Sequence, residues 1–396
     1  MKFWVAAFVF LVDARGLAVA DSIVRIGVLT EMSGAYSSFS GPGSVTAARM
    51  AAADFGGSVL GRPIEVISAD HQNKPDNAAA IANRWIDIEG VTAIVDVPLS
   101  GAALAVQEIT RNKKRIAIYS TGITSDLTGR QCSPTGFQWT YDSYSMVKSI
   151  AEGVVRSGGD KWFVLVVDNA AGYALERDVR RFVPTAGGTV IGSVRHPLGS
   201  SDLASFLLQA QNSGANVIAF ANAGQDLLNG IKQAKEFGLK GKLVPLVLFN
   251  TEIHALGLST AQGLNFVLTN DWTADEQTRA WSDRFFAVMK AMPSMTQAGI
   301  YSGVLHYLRA IKDTGTLEAG QVAQRMRELP VNDIFVRGGN ARADGSMVHD
   351  MLLARVKAPA ESKRDWDQYE VIGTIPGEVA YRPLSESECP GILGSR

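Results

Sequence analysis

Short β-rich runs alternate with longer stretches of helical period along most of the chain. "IVRIGVL" (23–29) reads as a buried strand, and in the stretch after it Val45, Ala48, Ala52 and Phe55 recur at helical spacing until Gly56 and Gly57 end the pattern. "IEVISA" (64–69), "TAIVDV" (92–97) and "RIAIYS" (115–120) are the next predicted strands, with helices over 76–89 and 101–112 between them. Strands separated by single helices predict a parallel βαβ series.

A second series follows "WTYDSY" (139–144). Its predicted strands are "WFVLVVD" (162–168), "TVIGSV" (189–194), "NVIAFA" (216–221) and "LVPLVLF" (243–249), with helices over 144–156, 173–185, 202–211 and 225–237. "LNFVLTNDW" (264–272) and helices over 276–292, 297–314 and 317–328 are too few for a third core. They are expected to return to the first unit, after which "SMVHDMLLARV" (346–356) and "YEVIGTI" (369–375) give late strands to the second. The reading is α/β, with two doubly wound parallel-sheet lobes: residues 21–140 plus 271–335, and residues 141–270 plus 336–396 with the C-terminal tail.

The first residues change the expected location. Lys2 precedes the apolar run "FWVAAFVFLV", too short to span a membrane, and Ala18-Val19-Ala20 fits a small-x-small cleavage site. Residues 1–20 are therefore expected to be a signal peptide, with export to the periplasm. The two cysteines, Cys132 and Cys389, suit an oxidising compartment as one disulfide, and equally two unrelated buried thiols.

Charge excludes more than it proposes. With 38 Lys and Arg against 39 Asp and Glu and no basic stripe, nothing points to nucleic acid. The glycine-rich loop "GAYSSFSGPGSVTAARM" (34–50) sits between strand and helix like a phosphate cradle. It lacks the third glycine of a dinucleotide fingerprint, and the chain has no GxxxxGK[ST] string. His71, His196, His254, His306 and His349 are dispersed without metal-ligand spacing. Ser100, where a strand turns into a helix, has Pro98 in place of the first glycine of a nucleophile elbow. No catalytic residue, metal or cofactor is expected.

Ser100 has two other readings, a simple helix cap or one corner of an anion site at a helix start. "STGITSDLTG" (120–129) repeats the theme at the end of the next strand. Together with 33–40, three successive strand ends carry hydroxyls and glycines where open parallel sheets bind ligands. Such a lining suits a small carboxylate held by neutral donors.

"VRIGVLTEMSGAYSSFSGPGSVTAARMAAADFGGSVLGRPIEVISADHQNKPDNA", "RIAIYSTGITSDLTG" and "GLSTAQGLNFVLTNDW", in this order over nearly all of the chain after residue 20, resemble the periplasmic solute-binding proteins of branched-chain amino-acid-type ABC importers. "SDLTGRQCSPTGFQWTYDSY" and the terminal cysteine look like the branch associated with aromatic or other organic acids. The resemblance implies a monomeric two-lobed clamshell with three crossovers that closes on a small amino acid of branched-chain type and docks on a membrane permease. Binding of aromatic or other organic carboxylates, or a ligand sensor on the same fold, is the alternative.

The resemblance also implies a first-lobe carboxylate grip at Ser100, Gly122 and Thr124, with Tyr36 as a wall. The second-lobe contacts it implies are Tyr173, standing in for an aromatic residue that is Ala171 here, together with Asn222 and Asn250. Asn250 falls where an amino-acid binder carries an acid for the ammonium, and Glu252 is close by. Trp272, Tyr36 and Phe249 are stacking surfaces for an aromatic body, or plain core.

Overall fold

A computed structural model describes residues 23–393; the predicted signal peptide lies outside the described residues. The first sheet runs in the order β2 (Ser58–Val59), β3 (Arg62–Asp70), β1 (Val24–Thr30), β4 (Val91–Asp96), β5 (Ile116–Tyr119), β6 (Gly136–Gln138). All its pairings are parallel except the short β2/β3 turn-back. Helices α1 (Gly41–Asp54), α2 (Pro75–Asp87) and α3 (Ser100–Asn112) connect these strands. Pro42 and Pro75 sit in the first turns of α1 and α2, where a missing N–H costs no helical hydrogen bond.

α4 (Ser143–Arg156) opens the second unit. Its start is fixed by Asp142, which accepts from the Ser145 amide at 2.7 Å. The second sheet then forms in the order β10 (Lys242–Pro245), β9 (Val217–Ala221), β7 (Lys161–Val167), β8 (Thr189–His196), all parallel. α5 (Ala170–Thr185), α6 (Ala204–Asn212) and α7 (Gln225–Glu236) make the connections. Two short helices, α8 (Asn250–Leu256) and α9 (Leu258–Ala261), lead to β11 (Asn265–Leu268).

α10 (Glu276–Met289), α11 (Met295–Thr314) and α12 (Ala319–Glu328) go back to the first sheet. Trp281, Phe285, Tyr307 and Met326 share one buried core with Val24, Ile26 and Val28 of β1. Fully burying each of these large side chains contributes about 1.5–3 kcal/mol, which is what holds α10–α12 on that lobe. The short antiparallel pair β12 (Asn340–Ala341) and β13 (Met347–Val348) belongs to the same core through Ala341 and Met347, and Ser346 bridges to Gln138 of β6. The chain therefore leaves the first lobe after β13 and not at residue 335, because this pair covers the β6 edge.

β14 (Met351–Val356) and β15 (Tyr369–Ile375) form a three-stranded sheet with β11 that packs beside β10. This sheet is antiparallel, a departure from the all-parallel expectation: β14 and β15 are joined without a crossover helix, and β11 pairs with β14 after the chain has returned from the first lobe. The chain thus crosses between lobes three times, from β6 to α4, from β11 to α10 and from β13 to β14. Cys132, in the loop between β5 and β6, is bonded to Cys389, which pins the tail to the first lobe.

Candidate functional site

The strand ends of both sheets face a cleft between the lobes that encloses about 410 Å³, its open mouth included. Tyr36, Phe39, Pro98, Thr121 and Ile123 line it from the first lobe and Tyr141 from the first crossover. Val167, Ala171, Leu175, Asn222, Ala223, Val247 and Phe249 line it from the second. Among the described residues that line it, none is charged. Six helices begin within two residues of a lining position: α1 after Phe39, α3 after Pro98, α4 after Tyr141, α5 at Ala171, α7 after Ala223 and α8 after Phe249. A helix start carries partial positive charge, so an anion is favoured beside such ends.

A hydrogen-bond chain sets the first-lobe wall. Asp96 is fully buried at the end of β4 and accepts from Thr30 Oγ1 at 2.7 Å and from Thr121 Oγ1. Thr30 Oγ1 in turn accepts from the Gly41 amide at 2.9 Å, so all three strand-end loops are tied to one carboxylate. Burial raises the Asp96 carboxyl above its ordinary value, and the threonine hydroxyls offset part of the rise. Because Thr121 gives its proton to Asp96, its oxygen faces the cleft only as an acceptor.

Tyr36 is held by Glu31, whose Oε2 accepts from the Tyr36 amide at 2.6 Å. Burial raises the Tyr36 phenol well above its ordinary value, while the neighbouring Asn169 side chain works against that rise. Asn169 Oδ1 also caps α5, accepting from the Ala171 and Gly172 amides at 2.9 and 3.2 Å. The serines of the 34–40 loop serve the loop itself: Ser37 Oγ donates to the Gly34 carbonyl and Ser40 Oγ to the Tyr36 carbonyl, both at 2.8 Å.

The lobes touch directly around this cleft. Phe39 stacks on Phe249 with centroids 4.0 Å apart, and Arg177 of α5 reaches Asp126 at 3.0 Å and Ser125 at 2.7 Å. Gly224, at φ 68°, lies so close to the first lobe that a Cβ there would sit 2.1 Å from the Ala35 carbonyl oxygen. The structure is a closed clamshell.

Of the residues singled out in the sequence, Tyr36, Asn222 and Phe249 line the cleft. Ser100, Gly122 and Thr124 are buried outside that lining: Ser100 Oγ accepts from the Thr124 amide at 3.3 Å, the Gly122 carbonyl accepts from Gln138 at 2.8 Å, and Thr124 Oγ1 accepts from the Asp126 amide at 3.3 Å, bonds that leave both hydroxyl protons to donate elsewhere. Tyr173 is 42 % exposed, with its hydroxyl donating to Asp168 and the Arg195 guanidinium 4.6 Å above its ring. Asn250 and Trp272 line a smaller space beside the second crossover, where Asn250 donates to the Pro293 carbonyl at 3.0 Å.

Glu252 stands behind the cleft wall and is held by backbone. Its oxygens accept from the Phe249 amide at 2.8 Å and from the Gly224 amide, and burial pushes its carboxyl up to about 8. Thr121 lines the cleft as one of the hydroxyls of the strand-end run "STGITSDLTG". Sequence reasoning did not single out Phe39, Pro98, Tyr141, Val247 or the apolar Ile123, Val167, Leu175 and Ala223 as lining residues.

Two parallel-sheet lobes, three crossovers and a ligand-sized cleft at the strand ends define a type I periplasmic binding protein. The chain matches the periplasmic binding protein family over residues 23–363 and belongs to it. Proteins of this kind in ABC transporters bind small molecules and deliver them to a permease. A periplasmic binding protein of Burkholderia mallei is 44 % identical, with a TM-score of 0.92 over 93 % of this chain and 99 % of that one.

A branched-chain amino-acid ABC transporter periplasmic ligand-binding protein of Burkholderia xenovorans is 38 % identical, with a TM-score of 0.83 over 93 % and 100 % of the two chains. A Rhodopseudomonas palustris solute-binding protein in complex with 4-hydroxybenzoate shares the fold at 21 % identity, with a TM-score of 0.80 over 90 % and 97 %. A Leu/Ile/Val-binding protein homolog of Brucella melitensis is 26 % identical over 235 residues, and the match spans 59 % of either chain.

Proposed function

We propose that this chain is the periplasmic receptor of an ABC importer for a small carboxylate with an uncharged, aromatic or apolar body. One observation carries the choice of ligand: the described lining of the cleft holds no acidic side chain, and helices begin beside it. A carboxylate gains from those helix ends. The ammonium of an amino acid would be buried without an anion, a costly arrangement. The carboxylates behind the wall already accept from the protein: Glu252 from two backbone amides, Asp96 from two threonine hydroxyls and Glu31 from the Tyr36 amide.

The walls agree with this choice. Tyr36, Phe39, Tyr141 and Phe249 surround the cleft with aromatic surface, and Val167, Leu175 and Val247 supply an aliphatic floor. The Rhodopseudomonas protein in complex with 4-hydroxybenzoate illustrates that the fold accommodates such a solute. The name of the Burkholderia xenovorans relative favours the other reading, a branched-chain amino acid. A thermal-shift screen of the purified protein against benzoates, phenylacetates, aliphatic amino acids and dicarboxylates decides between them, because a ligand bound only by the native state raises its melting temperature. Stabilisation by leucine or valine with no response to any aromatic carboxylate contradicts the proposal.

A further inference from the structure

The second-lobe wall carries one polar group whose chemistry is fixed from behind. Asn222 follows β9 and is 3 % exposed. Its Nδ2 lies 2.9 Å from His196 Nε2, and His196 Nδ1 lies 3.0 Å from the Pro197 carbonyl oxygen. A carbonyl only accepts, so Nδ1 bears the ring proton; in the neutral imidazole Nε2 is then bare and accepts from the Asn222 amide. The histidine tautomer thereby sets the carboxamide, with nitrogen to the ring and oxygen turned from it. Asn222 lines the cleft whereas His196 does not, and Asn222 Oδ1 is buried without a hydrogen-bond partner. Buried acceptors are rarely left unmet, and leaving one so is unfavourable.

We infer that Asn222 Oδ1 reads a hydrogen-bond donor on the ligand, and that the ligand is a hydroxylated aromatic carboxylate. This rests on the aromatic-carboxylate reading above and sharpens it. A neutral hydroxyl fits better than an ammonium because the other acceptor on the wall, Thr121 Oγ1, is also uncharged. The ligand hydroxyl lies toward Asn222, and His196, which stands behind Asn222 and outside the lining, acts as a positioning residue.

Isothermal titration of the purified protein with benzoate and its 2-, 3- and 4-hydroxy isomers tests this, alongside the variant Asn222→Leu. At least one isomer is expected to bind the unaltered protein about tenfold tighter than benzoate. In Asn222→Leu the ratio of hydroxy-isomer to benzoate affinity should shrink to about twofold or less, whatever the absolute affinities. The comparison on the unaltered protein stands even if the variant fails to fold. Equal affinity for benzoate and every hydroxy isomer, or an advantage that survives Asn222→Leu, overturns the assignment of Asn222 and leaves the aromatic-carboxylate reading standing. Binding of none of the four overturns the hydroxylated-aromatic assignment and leaves the carboxylate reading to a ligand with a different body.

Discussion

Phe39 of the first lobe and Phe249 of the second lie face to face, their ring centroids 4.0 Å apart and their planes 16° from parallel. Phe39 belongs to the loop that opens α1, and Phe249 ends the segment that leaves β10. The stack therefore exists only while the lobes are closed. An aromatic pair contributes about 0.5–1.5 kcal/mol beyond its buried area, enough to bias a hinge whose two states differ by little.

That stack is open to a double-mutant cycle. Phe39→Ala and Phe249→Ala should each weaken ligand binding, and the double variant should lose less than the sum, leaving a coupling of about 0.5–1.5 kcal/mol. Strict additivity in the titration data would mean that the rings act on the ligand separately and that their mutual contact does not stabilise closure.

Gly224→Ala tests closure from the other side. The new methyl would meet the Ala35 carbonyl only in the closed form, where it would sit 2.1 Å away. Affinity for the ligand should fall about tenfold or more, since each 1.4 kcal/mol against closure is a factor of ten. The positive φ of 68° adds a smaller cost to folding as well. An unchanged Kd would show that Gly224 and Ala35 need not approach for binding.

Most of the architecture was legible in the chain because it depends on local period. The strand read at 162–168 is Lys161–Val167 and the helix read at 276–292 is Glu276–Met289. The strand read at 243–249 was too long: it stops at Pro245, and Leu246 to Phe249 leave the sheet to become cleft wall and interlobe contact. β6 escaped notice because three residues, Gly136–Gln138, carry no period at all.

The site was harder to read for a different reason. Ser100 and Thr124 have the right chemistry for a carboxylate, yet both lie outside the cleft lining, where Ser100 Oγ accepts from the Thr124 amide. Which strand-end residue reaches the cleft depends on partners distant in sequence, as does the bringing together of Val247 and Pro98 in one lining. Tyr36 and Asn222 were found through the family resemblance, which places its contacts on strand-end loops of both lobes.

Glu252 should leave a signature in stability. Its carboxyl is raised by burial from an ordinary 4.5 to about 8, so between those values the native protein holds a proton that the unfolded chain has released. The associated stability is fully present below about 4.5 and is lost as pH rises through about 8. Relative to Glu252→Gln, the unaltered protein should lose stability across this window with a limiting slope of about 1.4 kcal/mol per pH unit. Urea denaturation curves that run parallel for the two proteins from pH 5 to 8 would refute this.

The bond between Cys132 and Cys389 closes a separation of 257 residues. Reduction, or replacement of both cysteines by serine, should cost about 2–5 kcal/mol of unfolding free energy. Chemical denaturation with and without reductant measures it directly, and coincident curves would mean that the tail adds no stability through this link.

The claim at the centre of the account is that the cleft accepts a carboxylate and offers no anion to an ammonium. Calorimetric titration with ligand pairs that differ only in the α-amino group isolates that claim: phenylalanine against 3-phenylpropanoate, leucine against 4-methylpentanoate. The account predicts that the deaminated member of each pair binds tighter, by about tenfold or more. Tighter binding of leucine or phenylalanine than of its deaminated partner would contradict it.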